Sequence, residues 1–230
     1  MSNPIQITFS ELIQAKIPGM FLGNLIAGNL TVRKQSPLLS SEIQDLEHFI
    51  KLKFSVIRPS ADPVVSAVRR LYRRIGWEPT QYRPSSEAMI RRIIKGTGLY
   101  GVNNLVDLAN IASTRFHLPM GLYDLNKING AIIVDVGKTD EAYQGIFKEL
   151  IHAEGKLILR DTTGVFGNPT ADSARTCIDG STKSLLATFF IPPEIEYAYL
   201  EQTLGFLTSL YQKECPESHI RFFCSRAGDL

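Results

Sequence analysis

The side chains of this sequence that could do chemistry fall into four groups. Asn103, Asp107 and Asn110 are spaced by four and three, so a helix would bring them to one face. Buried amides and carboxylates must be hydrogen-bonded, so the trio could orient a ligand or pin a neighbouring loop. Asn103 could equally cap the helix. The second group is Leu118-Pro119-Met120-Gly121-Leu122-Tyr123-Asp124, a loop with apolar side chains, one aromatic ring and one carboxylate, which are parts for a pocket wall. A packed turn between a helix and a strand is the plainer reading. The third is Asp161 to Asn168, where Thr163, Gly164 and Gly167 would allow close backbone approach and present N–H groups to a ligand. Ser173, Arg175 and Thr176 follow and could meet a phosphate or a carboxylate, or form a solvated loop. The fourth group is cationic: Arg69, Arg70, Arg73 and Arg74, then Arg91, Arg92 and Lys95. Guanidinium forks suit phosphate, although a solvated helix face with acidic partners is the commoner meaning of such runs.

Much chemistry is missing. The Asp161 loop has neither the spacing of a phosphate loop nor a dinucleotide fingerprint. His48, His117, His152 and His219 are scattered, with no HExxH pair, no serine elbow and no Cys–His dyad. Cys177, Cys215 and Cys224 form no metal-ligand spacing and no even disulfide set, which fits a reducing compartment. No metal, no cofactor and no convincing nucleophile is expected.

The elements that must carry these groups are legible in outline. Ile17 to Val32 reads as strand, bent at Pro18-Gly19, Gly23 and Gly28. Ser41 to Gln44 has capping-box spacing and opens a helix to about Leu52. Asp62-Pro63 starts another, with Val65, Val68, Tyr72 and Ile75 on one face and the four arginines largely away from it. A third runs from Ser85 to Lys95, ended by Gly96, and a fourth from Asn103 to about Phe116. Strands are expected at Ala131 to Val136, Lys156 to Arg160, Ser184 to Ile191 and His219 to Cys224. Pro192-Pro193 begins a long helix to roughly Lys213. The pattern predicts a single α/β or α+β domain over residues 1–230, a mixed sheet flanked by helices.

The chain has 230 residues, 44% hydrophobic and 21% charged, which is ordinary for a folded domain. Net charge is only +2, so any RNA contact would need a local patch. The N-terminus has no signal-peptide pattern, and no apolar run could span a bilayer. A cytoplasmic protein without a membrane partner is expected, and nothing points to a particular oligomeric state.

Taken together, Arg91-Arg92, Leu105-Val106-Asp107-Leu108-Ala109-Asn110, Leu118 to Asp124 and Lys127-Ile128-Asn129-Gly130 resemble, in order and spacing, the B3/B4 domain of the phenylalanyl-tRNA synthetase β subunit. The Gly164-Val165-Phe166-Gly167 loop, Thr182 and the strand Leu185 to Phe190 continue the likeness, which covers about residues 55–195. Arg83-Pro84-Ser85-Ser86-Glu87 and Asp172 to Thr176 look like free-standing bacterial members. The resemblance implies the B3/B4 fold, tRNA or aminoacyl-tRNA as partner, an amino acid as a further candidate ligand, and no ATP use or aminoacylation by this chain. In the synthetase this domain hydrolyses tyrosine wrongly joined to phenylalanine tRNA, because an apolar site cannot always reject an isostere that adds a hydroxyl. Carried over, the pocket would be walled by Pro119, Met120, Gly121, Tyr123, Asp124, Thr163, Gly164, Gly167, Leu186 and Thr188. Asn103, Asp107 and Asn110 would orient the ligand, and Arg91, Arg92, Lys95 and Arg175 would meet RNA. The backbone N–H groups near Gly164 and Gly167 would stabilise the oxyanion. Two positions depart: the family's loop histidine aligns with Gly121, and its pocket glutamate has no acidic counterpart around Leu186. Two functions follow, an aminoacyl-tRNA ester hydrolase acting in trans or a non-catalytic module binding an amino acid or RNA.

Overall fold

In the computed structural model, which describes residues 5–147 and 150–228, the chain begins with β1 (Ile7–Phe9), α1 (Glu11–Lys16), β2 (Phe21–Gly28) and α2 (Pro37–Lys53). Three more helices follow: α3 (Pro63–Arg74), α4 (Ser85–Ile94) and α5 (Asn104–Arg115). Then come β3 (Met120–Asp124), β4 (Ile132–Val136), the hairpin β5 (Ala142–Gln144) and β6 (Leu150–His152), β7 (Leu157–Asp161), β8 (Gly164–Asn168) and β9 (Ala171–Asp172). The chain closes with β10 (Leu185–Ile191), α6 (Tyr197–Glu214) and β11 (His219–Arg226).

The fold is α+β with a mixed sheet, as expected, but the strands divide between two main sheets. One is five-stranded, ordered β1-β4-β7-β8-β9, mixed because β1 runs parallel to β4. The other is wholly antiparallel, ordered β11-β2-β10-β3. Every residue of β10 is buried, which explains its unbroken Leu-Leu-Ala-Thr-Phe-Phe-Ile run. Residues opposite one another in an antiparallel ladder share a face. Gly121, Tyr123, Leu186, Thr188, Asn24 and Ile26 therefore point one way, toward β8 and its neighbours. Gly23 points the other way, toward α6, and a Cβ there would lie 2.2 Å from Leu200 Cδ1. Glycine lets the long helix lie close against the sheet.

Helix starts follow their caps. Asp62 Oδ1 accepts from the N–H groups of Val64 and Val65 at 3.0 and 3.1 Å, and Pro63 supplies the first turn of α3. Val65, Val68, Tyr72 and Ile75 are all buried, as their spacing predicts.

Several expectations need correction. Helix α2 starts at Pro37 rather than Ser41: Ser36 is extended and its Oγ accepts from Leu38 N at 3.2 Å, while Ser41 bonds back to the Leu38 carbonyl inside the helix. Most of the Leu118 to Asp124 segment is strand, not loop, because β3 pairs with β10 along its whole length. Gly164 to Asn168 is also strand, leaving Thr162-Thr163 as the turn of a hairpin with β7. Pro192 and Pro193 end β10, but α6 waits until Tyr197. The short elements α1, β1, β5, β6 and β9 were not expected.

Candidate functional site

At the start of α5, Asn103 Oδ1 accepts from Val106 N at 3.0 Å, and both Asp107 oxygens accept from Val102 N, at 3.0 and 3.2 Å. The pair thus holds the helix's own entry loop. Burial pushes the Asp107 carboxyl up, against the pull of the Val102 and Asn103 N–H groups. Asn110 lies a turn further on, half-buried.

The cationic helices are largely neutralised. Glu87 is fully buried and gathers Arg69 (2.9 Å), Arg91 (2.9 Å) and, more loosely, Arg83 (3.8 Å). Arg69 is itself 9% exposed, so it does not turn to solvent as its place on the helical wheel suggested. Arg70 and Arg74 reach Glu194, and Arg73 reaches Glu78. Arg92 donates through Nε to the Gly98 carbonyl at 3.0 Å and lies 3.7 Å over the ring of Tyr100, which is exposed. Lys95 is exposed and, among the described residues, pairs with no acid. Arg175 is committed: its fork grips Asp161 at 2.9 and 3.0 Å and donates to the Lys127 carbonyl. Burial would raise Asp161, but the Arg175 fork and the N–H groups of Asn129 and Thr163 outweigh it and hold the carboxyl low. Phosphate contact by Arg91 and Arg175 would have to break these pairs.

The residues expected to wall a pocket do converge, but around a side chain rather than a space. Tyr123 is wholly buried, directly across the ladder from Leu186, with its ring edge-on to Phe166 at 4.8 Å and 88°. A Cβ on Gly121 would lie 1.8 Å from Tyr123 Oη, and one on Gly167 2.3 Å from it. The two glycines therefore bracket the phenol hydroxyl. Gly121 cannot carry the side chain that the resemblance predicts while Tyr123 holds this place. Gly167 is paired with Leu159 on one side and Asp172 on the other, so its backbone lies inside the sheet. Thr188 Oγ1 donates to Asn24 Oδ1 at 3.1 Å, and Asp124 accepts from Thr182 Oγ1 at 2.7 Å and Asn126 N at 3.0 Å. The Pro119 carbonyl accepts from Phe190 N, and Met120 is partly buried.

Asp172, which the sequence marks only as the first residue of a family-like motif and not as a pocket residue, completes this enclosure. Its Oδ2 accepts from Leu122 N at 3.1 Å, closing the free edge of β3. Burial pushes its carboxyl up to about 7, with the Leu122 N–H and the neighbouring Tyr123 hydroxyl pulling the other way. The hydroxyl is near enough to act on the carboxyl, yet Tyr123 Oη and Asp172 Oδ1 are both buried without a completed hydrogen bond.

An open cleft of about 350 Å³ lies between β5 and the start of β8, lined among others by Tyr143, Thr163, Gly164, Ser173 and Arg175. Tyr143 is fixed there, its hydroxyl donating to the Ala171 carbonyl at 2.7 Å and accepting from Asn168 Nδ2 at 2.7 Å. Gly164 has φ +131° and nothing within 4 Å of where a Cβ would stand, so the wall is bare backbone at that point. Thr163 is exposed, its N–H held by Asp161 Oδ1. Four of the expected residues meet here: Thr163, Gly164, Ser173 and Arg175. The Glu87 hub was the most readable of the missed features, since Arg83 and Arg91 stand four residues either side of it. Among the described residues no group of three or more His, Cys, Asp or Glu is placed to hold a metal ion, and no helix is long and apolar enough to cross a membrane.

Residues 67–209 match the family model described as the B3/4 domain. The uncharacterized protein YhzB of Bacillus subtilis (strain 168) is 18% identical over 209 residues, covering 91% of this chain and 94% of that protein. The phenylalanine–tRNA ligase beta subunit of Fusobacterium nucleatum is 30% identical over 133 residues, and that of Rickettsia conorii 26% over 131. These alignments take in 53% and 45% of this chain but only 16% of each ligase subunit. Among solved structures, an N-terminal fragment of the phenylalanyl-tRNA synthetase beta subunit from Pyrococcus horikoshii matches all of this chain and 56% of that one, with a TM-score of 0.50 and 15% identity, a likeness of fold.

Proposed function

The chain belongs to the B3/4 domain family, and on that premise we propose that it binds the aminoacyl end of a tRNA and removes a mismatched amino acid by hydrolysing the ester in trans. The observation that carries this reading is the cleft beside the Thr162-Thr163 turn. It brings Thr163, Gly164 and Arg175 together with Tyr143 and Ser173, at a volume of about 350 Å³ that suits a small ligand. An aminoacyl ester is already activated, so hydrolysis needs an oriented water and stabilisation of the oxyanion rather than a strong nucleophile. Gly164 is the place where a substrate can approach bare backbone closely. Arg92, Lys95 and the exposed ring of Tyr100 are the groups best placed for phosphate and base contact, because Arg91 and Arg175 are held by acids.

A second reading, a module that binds an amino acid or RNA without turnover, draws on a different observation. Gly121 offers no side chain to orient water, and Tyr123 fills the space beside it. Purified protein is to be tested for deacylation of a panel of aminoacyl-tRNAs, with Thr163→Trp as the blocked-cleft control. Ester loss with the parent chain and not with the variant supports hydrolysis. Esters that stay intact while tRNA or an amino acid raises the melting midpoint support the second reading. Arg92→Ala with Lys95→Ala should flatten the salt dependence of tRNA binding by about two units of slope, and an unchanged slope removes those residues from the interface.

A further inference from the structure

We infer that Tyr123 is a built-in occupant of the side-chain compartment, a specificity-determining residue that shuts aromatic aminoacyl groups out of this site. The inference rests on the reading that the site receives an aminoacyl group. The compartment is defined by what touches the phenol. Gly121 and Gly167 bracket the hydroxyl so closely that a methyl group on either would fall within 2.3 Å of it. Phe166 meets the ring edge-on, and Leu186 faces it across the ladder. Asp172 stands beside the hydroxyl with Oδ1 unpartnered.

Two details distinguish an occupant from ordinary core packing. Glycines at 121 and 167, on strands from two different sheets, both leave room at the same atom, as the walls of a binding site do around a ligand's polar tip. The tip also stands within reach of the Asp172 carboxyl, whose Oδ1 has no other partner, so the polar end of the side chain is met by a polar group of the wall as a ligand's would be. A substrate's side chain is then turned toward the neighbouring open cleft, whose Glu141, Gln144, Ser173 and Arg175 suit a small or polar group better than an aromatic ring.

The test is chemical replacement. Tyr123→Ala empties a buried space, and an apolar cavity on the order of 150 Å³ takes up a benzene-sized molecule. p-Cresol, the side chain itself with one hydrogen added, should raise the melting midpoint of Tyr123→Ala by about 3–8 °C and leave the parent chain unmoved. Toluene, lacking the hydroxyl, should bind about tenfold more weakly. Tyr123→Ala combined with Asp172→Asn should bring the two ligands closer to parity, a change that mere void filling would not produce. A folded Tyr123→Ala chain that binds neither ligand overturns the inference, as does a parent chain that binds p-cresol equally well. Should Tyr123→Ala fail to fold, Tyr123→Leu keeps some apolar filling and should take up phenol; a folded Tyr123→Leu chain that takes up none is equally fatal. None of these measurements uses tRNA, so they separate the two readings. Replacement by p-cresol with every ester intact upholds the occupant and sinks the hydrolysis. Hydrolysis of tyrosyl or phenylalanyl esters by the parent chain does the reverse.

Discussion

Two buried polar clusters in this molecule have opposite characters. Around Glu214, every group has a partner. Arg33 donates to its carboxylate at 3.0 Å and Asn104 at 2.7 Å, and Ser36 Oγ binds the other oxygen. Asn104 also donates to the Thr31 carbonyl at 2.9 Å and accepts from Arg33 N at 2.8 Å. Around Asp172, the nearest hydroxyl and one carboxylate oxygen are left unpaired. A satisfied network fixes a single arrangement, and each deletion strands its neighbours. An unsatisfied pair costs about 1–3 kcal/mol per orphaned group and is tolerated where the surroundings, here two glycines and a hairpin, leave no better arrangement. The first cluster ties residues 31–36, 104 and 214 into one frame. The second closes around the end of a single side chain, Tyr123.

The sharpest way to break this contrast is to damage the satisfied cluster. Asn104→Ala removes two donors and an acceptor from Glu214, Thr31 and Arg33 at once. It should cost about 3 kcal/mol or more in denaturant unfolding, since several buried groups lose partners together. A cost below about 1 kcal/mol would mean that the cluster is no better satisfied than the other.

Next in size is a pair of substitutions that sharpens the picture of the Tyr123 enclosure. Gly167→Ala places a methyl group 2.3 Å from Tyr123 Oη and should destabilise by about 1–3 kcal/mol. In a double-mutant cycle, Tyr123→Ala should absorb most of that penalty, because the clashing atoms are gone. Additive costs would place the obstruction elsewhere, in the backbone of β8.

This enclosure also marks the limit of what the sequence discloses. The helices were legible where a local signal started them, as at Asp62-Pro63 and Asn103, because a cap satisfies N–H groups two or three residues away. Along the sequence β3 and β8 look like loops because glycine usually punctuates turns, whereas Gly121 and Gly167 are glycines to make room for a ring. That reason is invisible along the chain: Gly167 lies 44 residues from Tyr123, and Asp172 meets Leu122 across a separation of 50. Arg175 looked available for phosphate because its partner Asp161 comes near only when the strands fold back. The candidate site was thus legible as a set of residues. Which of them face a space and which fill one was decided by sheet packing.

The smallest effect per step is in pH, and its sign tests whether Asp172 is as poorly solvated as its orphaned oxygen implies. The Asp172 carboxyl rises from an ordinary 3.8 to about 7 in the folded chain. Between those values the folded protein holds a proton that the unfolded chain releases, so stability falls as pH rises from about 4 to 7, then levels off. The slope is at most about 1.4 kcal/mol per pH unit. Asp107, also raised by burial, adds to it with the same sign, whereas Asp161, held low by Arg175, acts only in more acid solution. The quantity to measure is therefore a difference: unfolding free energy from pH 4.5 to 7.5 for the parent chain minus that for Asp172→Asn. A parent chain that loses more stability than the variant over this range means that the carboxylate ionises at a cost, as an acceptor without a donor should. Parallel curves mean that Tyr123 or water already completes the bond, and the contrast with Glu214 disappears.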